Sequence, residues 1–128
     1  FTVNIRDSDA EVQAGLADAV KNRAGRTAQA RGLGIDIRQL SWLDPATLAP
    51  EMVSVLREEA GRLGYDSLVM PSGAGHDAQT MSAICPSGLI FVPSRNGISH
   101  SPGEYTEWAD IEKGAQLMLN TLCRLTAS

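Results

Sequence analysis

Alternation of apolar and polar positions is already under way at the first residue. Phe1, Val3 and Ile5 fall on one side of an extended chain and Thr2, Asn4 and Arg6 on the other. A strand is predicted there, and a chain that opens inside a strand is expected to be a piece of a longer polypeptide. The period then changes. Residues 8–11, "SDAE", have the form of a capping box in which Ser8 and Glu11 satisfy free amides at a helix start. Val12, Leu16, Ala19, Val20 and Arg23 recur at helical spacing, with Gly32 or Gly34 placed to end the helix. "IDIRQLSW", residues 35–42, returns to alternation and predicts a second strand with Ile35 and Ile37 on one face. Strand, helix, strand makes a compact unit whose two strands can pair in one sheet.

Residues 44–50, "DPATLAP", carry two prolines and read as the connection to a different unit. Pro50 suits the first position of a helix, where its missing N–H costs nothing. Met52, Val53, Leu56, Ala60 and Leu63 supply that helix with an apolar stripe, and Gly64 can end it. "SLVM", residues 67–70, predicts a short strand leading into the turn "PSGAGHD", and Ala78, Met81, Ile84 and Cys85 fit a short helix after it. "GLIFV", residues 88–92, is a continuous apolar run of strand length, the pattern of a sheet covered on both faces. A last helix is predicted from Trp108, Ile111, Ala115, Met118, Leu122 and Leu125, spaced by threes and fours. Helix and strand alternating from residue 50 onward predict a three-layer α/β domain.

Composition narrows the function classes. The chain has 128 residues, 43% of them apolar, with a net charge of −4 and no block of Lys or Arg. Nothing in that balance favours nucleic acid or an anionic membrane surface. No apolar run approaches the roughly 20 residues of a membrane helix, and no signal peptide is visible. Cys85 and Cys123 are far apart in helical patterns, which suits buried free thiols and a reducing, cytoplasmic setting.

Candidate chemistry gathers at three places. His100 stands in "SRNGISHSPGE", residues 94–104, directly after the buried-type strand, where open α/β sheets collect their ligand sites. It reads either as a loop histidine bonded to a neighbour such as Ser99 or Glu104, or as a presented ligand. Only two histidines are present, whereas a catalytic zinc needs about three protein ligands. "SGAGHDA", residues 72–78, is either a tight turn with Asp77 as helix N-cap or a run of free amides facing an anion or a polar substrate. His76 and Asp77 would then orient the site. Arg6, at the end of the first strand, is either a solvated surface charge or a fork for a substrate carboxylate.

The stretch "MPSGAGHDAQTMSAICPSGLIFVPSRNGISHSPGEYT", residues 70–106, closely resembles the C-terminal part of the hydantoinase/carbamoylase branch of the dinuclear-metal amidohydrolases, relatives of the metallopeptidases and aminoacylases. The resemblance covers essentially the whole chain. It implies a division at about residue 45. Residues 1–45 would be the last strand–helix–strand of an α+β lid, which also dimerises, and residues 46–128 the end of the three-layer α/β catalytic domain. It implies that His100 is the last ligand of two divalent ions (Zn, Mn, Co or Ni), that Arg6 binds the substrate carboxylate, and that Gly73, Ala74 and Gly75 line the substrate pocket, with His76, Asp77 and Glu104 as orienting groups. Asn4 replaces the family's usual Asp, at a position that is not a ligand.

The other ligands and the general-base Glu have no counterpart in this sequence and would lie before Phe1. No catalytic residue is therefore expected in this chain, and the polypeptide alone is expected to be inactive. The implied reaction is hydrolysis of an N-carbamoyl-L-amino acid to the amino acid, carbon dioxide and ammonia. Allantoate amidohydrolase and β-ureidopropionase are the sibling alternatives, and a non-catalytic binding or dimerisation module is the alternative of another class.

Overall fold

A computed structural model describes residues 1–127, which divide into two compact units: Phe1–Thr47 together with Pro71–Gly75, and Leu48–Met70 together with the chain from His76 onward.

In the first unit, helix α1 spans Ala10–Ala30. Its N-cap is Asp9, not Ser8: the Asp9 carboxylate accepts from the amides of Glu11 (2.8 Å) and Val12 (3.1 Å), and the Asp9 amide is held by Asp7 at 2.9 Å. A carboxylate bonded to two otherwise unpaired amides, against the positive end of the helix dipole, is a stronger cap than a hydroxyl one residue earlier. The far end closes as expected. Gly32 takes φ +65°, its amide bonds to the Gln29 carbonyl, and the Leu33 amide returns to Ala28, the two bonds of a Schellman turn. The solvent-shielded residues of α1 are Gln13, Ala17 and Ala28, while Val12, Leu16 and Val20 stay exposed. Gln13 donates from Nε2 to the Leu43 carbonyl at 3.3 Å and so ties α1 to the 35–43 stretch, while its Oε1 is buried without a partner among the described residues.

The second unit holds α2 (Pro50–Arg62), α3 (Asp77–Met81) and α4 (Trp108–Thr126), with a 3-10 turn at Arg95–Gly97. α2 begins with Pro50 at its first position and ends in a second Schellman turn, with Gly64 at φ +71° and the Tyr65 amide bonded to the Ala60 carbonyl. α2 and α4 pack together. Arg124 of α4 crosses to two carboxylates of α2, Nη1 to Glu59 at 2.9 Å and Nη2 to Glu58 at 2.7 Å, and Arg62 also reaches Glu59 at 2.7 Å. The hydrogen bond from Arg124 holds the Glu58 carboxyl below the usual carboxylate range. The Glu59 side chain, only 6% exposed, is thus paired twice, as a carboxylate removed from water must be.

The 88–92 run touches both helices. A Cβ on Gly88 would meet Leu56 Cδ1 at 3.0 Å and Met52 Cβ at 3.3 Å, and one on Gly114 would meet Val92 Cγ1 at 2.6 Å. The close approach therefore requires glycine at position 114. Gly114→Ala is expected to destabilise the protein by about 1–3 kcal/mol through overpacking, outweighing the gain of about 1 kcal/mol in helix propensity. Chemical denaturation should show Val92→Ala recovering much of that loss in the double variant, since it removes the colliding methyl.

Three expectations are corrected. None of the segments 1–6, 35–42, 67–70 and 88–92 forms a strand, and no strand occurs among the described residues. A strand exists only when its amides and carbonyls meet those of a neighbour, and apolar patterning says nothing about where that neighbour lies. The apolar stripes of α1 and α4 likewise do not become the core, whereas that of α2 is half-buried at Met52, Val53, Leu56 and Leu63 and buried at Ala60. The buried apolar residues are Ala17, Ala28 and Ala60, whereas on α4 Trp108 (76% exposed), Ile111, Met118, Leu122 and Leu125 remain open. The shielded side of α4 carries Gly114, Leu117, Thr121 and Arg124 instead. Finally, both cysteines are free but exposed rather than buried. Among the described residues, no helix is long and apolar enough to cross a membrane.

Candidate active-site residues and family membership

The loop that carries His100 is closed at its base. The Arg95 amide bonds to the Tyr105 carbonyl at 2.7 Å, the Arg95 guanidinium lies 4.2 Å from the centre of the Tyr105 ring, and its Nη2 donates to Glu107 at 2.7 Å. Ser94 Oγ bonds to the Ile98 carbonyl inside this closure. Asn96 (φ +58°), Gly97 (φ +66°) and His100 (φ +54°) all adopt the left-handed region. His100 is the uncommon case, because its Cβ disfavours that conformation, although histidine tolerates it better than most residues. Its backbone amide donates to Glu104 Oε2 at 2.8 Å. The residue is exposed, and nothing hydrogen-bonds to its imidazole among the described residues.

The "SGAGHDA" segment resolves differently from either reading of the sequence. His76, not Asp77, is the N-cap residue of α3, and it makes no side-chain capping bond there. Asp77 instead occupies the first helical turn, where a negative charge faces the positive end of the helix dipole. The His76 ring meets Phe91 edge-on at 5.2 Å. The Ala74 amide, expected to be free, donates to Ser72 Oγ at 3.2 Å. In the same unit as Ser72 and Ala74, Arg6 Nη1 donates to the Gly73 carbonyl at 2.7 Å.

The structure therefore joins Arg6 to Gly73 and His100 to Glu104, and the two pairs fall in separate units. Sequence reasoning passed over Arg95, Tyr105 and Glu107, whose ring stack and ion pair close the His100 loop. No periodicity marks an ion pair between residues 12 apart in a loop. Ser72 was missed as well, although a serine two residues before a free amide is a recognised turn pattern.

No three His, Cys, Asp or Glu side chains converge to hold a metal ion among the described residues. The donor chemistry of this chain fits one ligand, an exposed imidazole on a constrained backbone, and does not by itself make a metal site.

Residues 2–124 match the profile of peptidase family M20/M25/M40, and the chain belongs to that family. Among its relatives are an uncharacterized hydrolase of Haemophilus influenzae, 40% identical over 116 residues, and the N-carbamoyl-L-amino-acid amidohydrolase of Paenarthrobacter aurescens, 35% identical over 122 residues. The allantoate amidohydrolase of Escherichia coli is 36% identical over 127 residues. These alignments cover 91%, 95% and 98% of this chain but only 28%, 30% and 30% of the relatives, so the chain spans less than a third of their length. A solved amidase of the hydantoinase/carbamoylase family from Burkholderia multivorans aligns with a TM-score of 0.83 at 34% identity, over 90% of this chain and 28% of that one. The resemblance read from residues 70–106 is thus borne out. Family membership agrees with an α/β class, although the described residues are helical without strands.

Proposed function

We propose that this chain is the C-terminal portion of a metal-dependent amidohydrolase that cleaves a linear amide or ureido C–N bond, with N-carbamoyl-L-amino acids as its substrates. The observation that carries the reading is the alignment of nearly the whole chain with carbamoyl-amino-acid and allantoate amidohydrolases. Residues 1–45 belong to the lid and dimerisation domain and residues 46–128 to the three-layer α/β catalytic domain, in a cytoplasmic homodimer.

In this reading His100 gives one imidazole to a site whose remaining ligands come from outside residues 1–128. Zinc, manganese, cobalt and nickel all suit imidazole and carboxylate donors. When bound, such ions lower the pKa of a coordinated water toward neutrality. Arg6 grips the substrate carboxylate with its planar fork, and the Gly73–Gly75 backbone lies against the substrate beside it. The hydrogen bond from Arg6 to the Gly73 carbonyl supports this pairing, because the guanidinium already bonds to the loop proposed to line the pocket. Holding the carboxylate fixes the scissile carbonyl in place. The general base is not among these residues.

The test is ammonia release by the purified full-length gene product supplied with Zn²⁺ or Mn²⁺, from N-carbamoyl-L-amino acids and from allantoate. Turnover of a carbamoyl amino acid that stops on chelation is expected. Turnover of allantoate alone would assign the sibling activity, and hydrolysis of neither would sink the proposal. A polypeptide of residues 1–128 alone is expected to release no ammonia from either substrate. Metal-dependent release by it would contradict the assignment of the base and the remaining ligands to residues outside 1–128.

A further inference from the structure

We propose that Glu104 is a positioning residue that holds His100 in its ligand-presenting conformation through the backbone and not through the imidazole. The proposal rests on the reading of His100 as a metal ligand. His100 sits at φ +54°, a conformation a residue with a Cβ keeps only where its surroundings impose it. Among the described residues one hydrogen bond reaches the His100 backbone: its amide donates to Glu104 Oε2 at 2.8 Å. The intervening chain makes that bond possible. The Glu104 amide turns back to the Ser101 carbonyl at 2.9 Å, across Pro102 and Gly103, and this turn brings the carboxylate within reach of the amide four residues earlier.

The base of the loop is fixed independently by Arg95, Tyr105 and Glu107. Glu104 therefore has a local task that the loop closure does not perform. A carboxylate accepting from a backbone amide is a charge-assisted bond, stronger than a neutral one. It leaves both imidazole nitrogens unencumbered. Metal-ligating histidines usually depend on a partner that fixes the ring. In this loop the partner fixes the peptide to which the ring is attached.

The experiment is a Zn²⁺ titration, against a chromophoric chelator, of the metal-free full-length gene product and its E104A, E104Q and H100A variants, with melting of each metal-free protein recorded in parallel. E104A is expected to weaken one Zn²⁺ site roughly 10- to 100-fold, the range for loss of a partner that orients a ligand. E104Q keeps an acceptor oxygen but only a neutral bond, roughly half as strong as the charge-assisted one, and is expected to fall between the parent and E104A. If E104A fails to fold, E104D, one methylene too short for the same bond, should show the loss. Unchanged Zn²⁺ affinity in E104A alongside a lowered metal-free melting point would mean a structural role only and would overturn the proposal. Equal losses in E104Q and E104A would overturn it too, by making the charge essential. An H100A protein that binds Zn²⁺ like the parent would instead bring down the ligand reading itself, a result distinguishable from the others.

Discussion

His100→Ala in the full-length gene product is expected to lower kcat/KM by more than about a hundredfold, because even the groups that merely orient a metal ligand are worth 10- to 100-fold. Metal content measured by inductively coupled plasma mass spectrometry should fall with it, by about one ion per protomer, since a catalytic ion has only about three protein ligands to lose. Alanine removes two things at once, the imidazole and a residue type that tolerates φ +54°. His100→Asn separates them. Asparagine accepts the left-handed backbone readily but is a far poorer donor to zinc-like ions than imidazole. The asparagine variant should therefore match alanine in lost metal and lost turnover while keeping more of the parent's stability. Full metal content with turnover close to the parent would remove His100 from the site.

Arg6→Ala is expected to act on binding. A hydrogen bond to a charged group contributes about 1.5–3 kcal/mol, which corresponds to a rise in KM of roughly 10- to 150-fold for a carboxylate-bearing substrate. A substrate whose carboxylate is converted to an amide should show little difference between parent and variant. Arg6→Lys should recover only part of the loss, because an ammonium cannot reproduce the parallel bonds of the guanidinium fork. An unchanged KM in Arg6→Ala would leave Arg6 with its other visible task, the hydrogen bond to the Gly73 carbonyl.

The helices were the legible part of this fold. Their stops were readable too, because Gly32 and Gly64 sit where only a positive φ lets the chain turn back on a Schellman pair. The N-caps were harder. Ser8 and Asp9 are both competent, and the choice depends on which side chain reaches two amides. Likewise His76 displaced Asp77 as the residue before α3. The alternating segments were less legible, since a strand is a relation between two stretches and patterning describes only one. Of the site, "SGAGHDA" and "GISHSP" were conspicuous in the sequence. The pairing of Arg6 with Gly73, 67 residues apart, was not, because no local rule connects an arginine in an alternating segment to a distant carbonyl.

The exposed row on α4 has a bearing on handling. Trp108, Ile111, Ala115, Met118, Leu122 and Leu125 lie open along one helix, with a three-and-four spacing that is the geometry of a knobs-into-holes seam. A preparation consisting of residues 1–128 alone would present that seam to solvent, as a contiguous apolar patch of the kind that drives aggregation. Its sedimentation would then depend on concentration, and a fluorescent probe of apolar surface would light up with it. Purity on a gel would say little about whether such a sample is monodisperse.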